Sequence, residues 1–110
     1  MAQFQIRTST DSGPVVVSLS GEADLAVRDE LTEVLLAAVT SAPVVVVDLG
    51  DLTFIDSSGI HGLLTAYHAT QRDGTRMYAV NATGLVADLL DVTGLAELLQ
   101  PPSPDGGPDV

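Results

Sequence analysis

The chain has 110 residues, 45% of them apolar and only 4% aromatic, and its fifteen acids against four arginines, with no lysine, leave a formal charge of -11. That length suits one domain with a single core of Val, Leu, Ile and Ala, and such a core suits strands packed against helices. The charge argues against nucleic acid or an anionic membrane as a partner, because both would be repelled, and the absence of cysteine removes disulfides, thiol catalysis and thiolate metal sites together.

From the N-terminus, Phe4 and Ile6 alternate with Gln5 and Arg7, Thr10-Asp11-Ser12-Gly13-Pro14 reads as a turn, and Val15, Val17 and Leu19 alternate with Val16, Ser18 and Ser20. The pattern predicts a pair of short strands. After Gly21-Glu22-Ala23-Asp24, apolar residues recur at helical spacing at Val27, Leu31, Val34, Leu35 and Ala38, with Asp24 as the expected cap and Pro43 beyond the end. Residues 44–47 are all valine and apolar on both faces, which predicts a central strand covered on two sides. Ile60, Leu63, Leu64 and Tyr67 then fall at i, i+3, i+4 and i+7, Arg72-Asp73-Gly74 supplies a stop, and residues 77–80 form the next strand. A third helix over residues 85–92 is expected to carry Leu85, Leu89 and Val92 on one stripe, with Thr83 as its cap and Gly94 as its close. Leu95, Leu98 and Leu99 form a short apolar coda. From Pro101 onward four prolines, two glycines and two aspartates offer nothing to bury, so residues 1–100 are expected to fold and 101–110 to form a disordered tail.

The order strand, strand, helix, strand, helix, strand, helix contains two crossover units, hence a largely parallel α/β sheet with an antiparallel strand at its start. Binding surfaces of such sheets lie beyond the carboxyl ends of the strands. That rule places two acidic loops near each other, residues 21–24 and residues 50–58. The second, within Asp51-Leu52-Thr53-Phe54-Ile55-Asp56-Ser57-Ser58-Gly59-Ile60, sets an acidic, hydroxyl-bearing turn between a buried strand and an amphipathic helix. Its side-chain oxygens suit the unpaired N–H groups of a first helical turn, so one hydroxyl could serve as both cap and functional group.

The run Phe54-Ile55-Asp56-Ser57-Ser58-Gly59-Ile60, with Leu19-Ser20-Gly21-Glu22-Ala23-Asp24 upstream and Val92-Thr93-Gly94-Leu95 downstream, resembles the STAS domain of bacterial anti-sigma factor antagonists over about residues 4–100. The resemblance implies the STAS fold: a single mixed, mostly parallel sheet of four to five strands flanked by three to four helices. It also implies a partner switch. The unmodified antagonist binds an anti-sigma factor that is a serine kinase of the histidine-kinase-like ATPase fold, so releasing a sigma factor; phosphorylation ends the interaction, and a metal-dependent serine phosphatase restores it. Carried onto this sequence, the phosphoacceptor is Ser57. The expected partner face comprises Glu22, Asp24, Thr53, Asp56, Ser57, Ser58, Gly59, Ile60 and His61. His61 stands where the family usually has a small residue, a departure that bears on which partner is accepted.

Phosphate on Ser57 would add about 1.5 to 2 negative charges beside Asp56 and near Asp51, Glu22 and Asp24, so an unchanged fold with a lost binding surface is expected. Gly59 and Gly62 weaken a helix, which raises the expectation that another backbone approaches closely there. No enzyme is expected. A Ser57–His61 pair lacks the G-x-S-x-G elbow, neither phosphate-binding glycine pattern occurs, and His61 and His68 have no supporting ligands, so no metal or other cofactor is foreseen. Asn81-Ala82-Thr83 fits a glycosylation sequon, but with no secretion signal expected from the first residues and no run of about 18 apolar residues it is read as a chance match. A cytoplasmic protein is the expectation. The competing reading is a STAS-type scaffold or ligand-sensing module unconnected with sigma factors, with Ser57 only a cap.

Overall fold

Alternating burial along the valine-rich segments fixes the architecture, which a computed structural model describes for residues 4–10 and 13–102. Asp11 and Ser12 of the expected first turn, and the expected tail from residue 103 onward, lie outside the described residues. Strands β1 (Gln5–Ser9), β2 (Val15–Ala23), β3 (Val44–Ile55) and β4 (Arg76–Val80) form one sheet in the order β1-β2-β3-β4. β1 pairs antiparallel with β2, and the other neighbours are parallel. The helices are α1 (Arg28–Ser41), α2 (Ser57–Asp73), α3 (Gly84–Thr93) and the single turn α4 (Leu95–Leu98), with a 3₁₀ turn at Leu25–Val27 ahead of α1. Among the described residues no helix is long and apolar enough to cross a membrane.

Because β2, β3 and β4 are parallel and follow one another across the sheet without reversing direction, right-handed crossovers lay α1 and α2 on the same face. Burial agrees: Val15, Val17, Leu19, Val45, Val47, Leu49 and Met77 are buried, whereas Val16, Ser18, Val44, Val46, Asp48 and Tyr78 on the other face are half-buried. This corrects the expectation of a strand covered on two sides. The β-branched run at residues 44–47 instead reflects strand propensity on a pleated surface with one closed face. Leu31, Leu35, Ala38 and Val39 of α1 and Leu63, Ala66 and Ala69 of α2 complete the core. Each fully buried leucine contributes about 1.5–3 kcal/mol relative to exposure.

The segments expected as loops at residues 21–24 and 50–58 are largely strand. β2 runs on through Ala23 and β3 through Ile55, in a register that slips between Ser18 and Ser20 and again between Gly21 and Glu22. Each slip places an extra residue in β3, and the buried positions change spacing from Val45, Val47 and Leu49 to Leu52 and Ile55. The first bulge is held by Asp48, whose carboxylate accepts the N–H of Gly50 at 2.9 Å and the side-chain N–H of Asn81 at 3.1 Å. β4 pairs only with residues 44–48 of β3, and α3 also packs against β3. α3 buries Val86 and Leu90, while Leu85 and Val92 of the expected stripe are 56% and 82% exposed. Apolar residues lie on several sides of this helix, so two stripes fit its spacing; the one that meets the core wins. Thr83 occupies the cap position without a side-chain bond, and Gly94 closes the helix in the left-handed conformation at φ 84°.

Candidate functional site

The site is built where β2 and β3 end side by side. Gly21 pairs with Leu52, Glu22 with Phe54 and Ala23 with Ile55. Thr53 is the residue of β3 passed over at the second bulge, and its hydroxyl donates to the Gly21 carbonyl at 3.0 Å. Gly21 itself has φ 89°, a left-handed conformation that a glycine adopts without the strain a Cβ would bring. One residue beyond the strands, the Asp56 N–H donates to the Ala23 carbonyl at 3.2 Å, so the turn leaving β3 is tied to the turn leaving β2.

Asp56 is the N-cap of α2. Its backbone is extended, and its carboxylate accepts the N–H groups of Ser58 at 2.8 Å and Gly59 at 3.3 Å. Ser57 is the first helical residue, is exposed, and its hydroxyl makes no hydrogen bond among the described residues. The cap and the candidate phosphoacceptor are therefore adjacent residues and not one hydroxyl with two roles. A similar division holds upstream. Asp24 was expected to cap the first helix; instead its carboxylate accepts the Ala26 N–H at 3.1 Å and caps the 3₁₀ turn, while α1 begins without a side-chain cap.

Gly59 answers the question of why α2 tolerates glycine in its first turn. A Cβ there would stand 2.9 Å from the Ala23 carbonyl oxygen and 2.6 Å from Ile55 Cγ1, so the helix starts this close to β2 and β3 only without one. At Gly62 a Cβ would meet side chains of α1, Thr32 Oγ1 at 3.1 Å and Leu31 Cδ2 at 3.3 Å. The close approach by another backbone expected for both glycines is present at Gly59; at Gly62 the neighbour is side chain.

Of the expected face, Glu22, Thr53, Ser57 and His61 are exposed, and Asp24, Asp56, Ser58 and Ile60 are half-buried. Gly59 is buried and so shapes the face without lying on it. His61 lies one turn along α2 from Ser57 and lines a shallow groove with Arg28, Asp29, Thr32, Glu33 and Thr65 between α1 and α2. Among the described residues the ion pairs are Arg28–Asp29 and Arg72–Asp73, and none involves Glu22, Asp24, Asp51 or Asp56. Leu25, named by no expectation from the sequence, is 64% exposed in the 3₁₀ turn between Asp24 and α1. Its signal was present: it falls outside the helical phase of Val27, Leu31, Val34, Leu35 and Ala38.

The arrangement offers an acidic surface around the exposed hydroxyl of Ser57 at a helix start, a place where a phosphate would meet the positive end of the helix dipole. Among curated proteins none matches this sequence. In structure the chain is similar to an anti-sigma factor antagonist from Mycobacterium paratuberculosis, with a TM-score of 0.79 and 27% identity over 94% of this chain and 89% of that one. It is also similar in fold to the anti-sigma factor antagonist SpoIIAA in its unphosphorylated form, with a TM-score of 0.74 and 20% identity over 94% of this chain and 90% of that one. The phosphorylated form of the Bacillus cell fate determinant SpoIIAA matches with a TM-score of 0.68 and 19% identity over 94% of each chain. With residues 6–100 matched by the family model described as Mlab, STAS domain, and with a mixed four-stranded sheet of the SpoIIAA kind, the chain belongs to the STAS-domain family.

Proposed function

We propose that this chain is an anti-sigma factor antagonist of the partner-switching type, working in the cytoplasm as a binding protein and not as a catalyst. Unmodified, it binds an anti-sigma factor that is a serine kinase of the histidine-kinase-like ATPase fold, and a sigma factor is released. Phosphate on Ser57 ends that interaction, and a metal-dependent serine phosphatase restores it. The face that the partner covers is Glu22, Asp24, Thr53, Asp56, Ser57, Ser58, Ile60 and His61, supported from beneath by Gly59.

The observation that carries this reading is the separation of cap from hydroxyl. Asp56 alone satisfies the N–H groups of Ser58 and Gly59, which leaves Ser57 exposed and chemically available without cost to the helix. A phosphate there adds about 1.5 to 2 negative charges to a surface that already holds Glu22, Asp24 and Asp56 without cations. The helix dipole favours the group by about 0.3–1 kcal/mol when exposed, so the fold tolerates it. In a complex the same group is desolvated and repelled, so binding does not. Similarity in fold to SpoIIAA in both its unphosphorylated and phosphorylated forms supports a switch of surface with little change of structure.

The test is to incubate the chain and its Ser57→Ala variant with ATP and the small ATPase-fold kinases encoded in the same genome, then locate phosphate by mass spectrometry and measure binding before and after. Phosphate on Ser57, absent from Ser57→Ala, with binding lost on modification, is the expected result. A chain that no such kinase binds or modifies would leave the STAS-type scaffold or ligand-sensing module as the better account.

A further inference from the structure

We propose that Leu25 is the apolar anchor of the partner-binding face, the side chain that an apolar pocket on the anti-sigma kinase encloses, an assignment that rests on the function proposed above. Four large apolar residues stand exposed on the described surface: Leu25, Leu85, Val92 and Leu98. Three of them belong to α3 and α4. Leu25 alone lies beside the switch, two residues after Ala23, whose carbonyl accepts the N–H of Asp56 and lies against Gly59.

A single exposed leucine is ordinary on a protein surface; what distinguishes this one is how it is held and the charge of the segment that carries it. The 3₁₀ turn carrying it is closed by the Val27 N–H on the Asp24 carbonyl at 3.1 Å and capped by the Asp24 carboxylate on the Ala26 N–H at 3.1 Å. The turn also packs against both α1 and α2. Its backbone is thus ordered before any partner arrives, which lowers the entropy lost on binding. Glu22 and Asp24 precede it and Asp29 and Glu30 follow, and the nearby Arg28 is engaged with Asp29 at 3.4 Å. An exposed apolar side chain on a charged segment can supply affinity while the neighbouring charges select the partner's charge. Four of the five charged residues within 22–30 are acidic, so the occupant is a pocket with basic residues at its edge, which a second copy of this net-acidic chain supplies poorly. Leu25 then contributes affinity, and the charge state of Ser57 decides whether that affinity is used.

The experiment uses the purified kinase that modifies Ser57 of the wild-type chain, and compares wild type, Leu25→Ala, Leu25→Met and Leu85→Ala. Leu25→Ala is expected to raise both Kd and the KM for phosphorylation about ten- to thirtyfold, by loss of buried apolar area, with kcat and melting temperature nearly unchanged. Leu25→Met restores most of the binding, and Leu85→Ala behaves as wild type. Equal binding by Leu25→Ala and wild type, or an equal loss in Leu85→Ala, overturns the assignment and leaves the proposed function standing. A wild-type chain that no kinase binds overturns both.

Discussion

Asp56 and Ser57 divide the start of α2 between them: the carboxylate of Asp56 accepts two of the first free N–H groups of the helix, and the hydroxyl of Ser57, one residue later, accepts none. The two residues therefore sit on different links of the chain from sequence to function. One holds the helix end, and the other presents a hydroxyl that the fold does not use.

Stability measurements should separate them. Asp56→Ala removes the cap and is expected to cost about 1 kcal/mol, within the usual range of 0.5–2. Ser57→Ala removes an exposed hydroxyl that bonds to nothing among the described residues and is expected to stay within about 0.5 kcal/mol of wild type. Urea titration of the two variants checks the contrast. Equal losses would mean that Ser57 shares the cap.

Gly59→Ala and Gly62→Ala make the same chemical change in one helix and should differ in outcome. At Gly59 the new methyl meets a backbone carbonyl of β2 at 2.9 Å and the Ile55 side chain at 2.6 Å, and the carbonyl cannot retreat without moving the strand. Overpacking of this kind costs about 1–3 kcal/mol, more than the helix-propensity gain of about 1. At Gly62 the neighbours are side-chain atoms of Thr32 and Leu31 at 3.1 and 3.3 Å, which can shift by a few tenths of an ångström. There the propensity gain offsets the crowding. Thermal denaturation should place Gly59→Ala at least about 1 kcal/mol below Gly62→Ala.

Much of this was legible in the residues. The alternation of Val15, Val17 and Leu19 located β2, and the Asp-Ser-Ser-Gly run after a buried strand located the capped start of α2. The extended half of the sheet was not legible, because the two bulges break the alternation: Leu49, Leu52 and Ile55 are three apart, and Gly50-Asp51 imitates a turn. What completes that region is long-range, the Asp48 carboxylate reaching Asn81 and the Thr53 hydroxyl reaching Gly21. No local pattern encodes either contact. α3 failed for the opposite reason, since Leu85, Val86, Leu89, Leu90 and Val92 offer more apolar positions than one face can bury.

The single closed face of the sheet predicts an asymmetry between neighbouring valines. Val47 points into the core and is fully buried, whereas Val46 lies on the open face and is half-buried. Val47→Ala is expected to cost about 2 kcal/mol and Val46→Ala less than about 1. If both cost the same in a denaturant titration, the second face is covered in solution.

Ser57→Asp tests fold and surface together. One added carboxylate at the first position of α2 lies where the helix dipole favours negative charge, so the melting temperature should stay within a few degrees of wild type. In the proposed complex with a kinase, the same carboxylate would join Glu22, Asp24 and Asp56, none of which has an ion-pair partner among the described residues. Affinity is expected to fall at least tenfold for a charge desolvated and unpaired in the interface. The remaining association of wild type should slow as salt rises from about 0.05 to 0.5 M, because an acidic face meeting a basic rim is steered over a Debye length of about 10 Å at 0.1 M. Stopped-flow association across that salt range checks the electrostatics, and calorimetry on Ser57→Asp checks the switch. A salt-independent on-rate would mean that the acids around Ser57 do not face a basic partner.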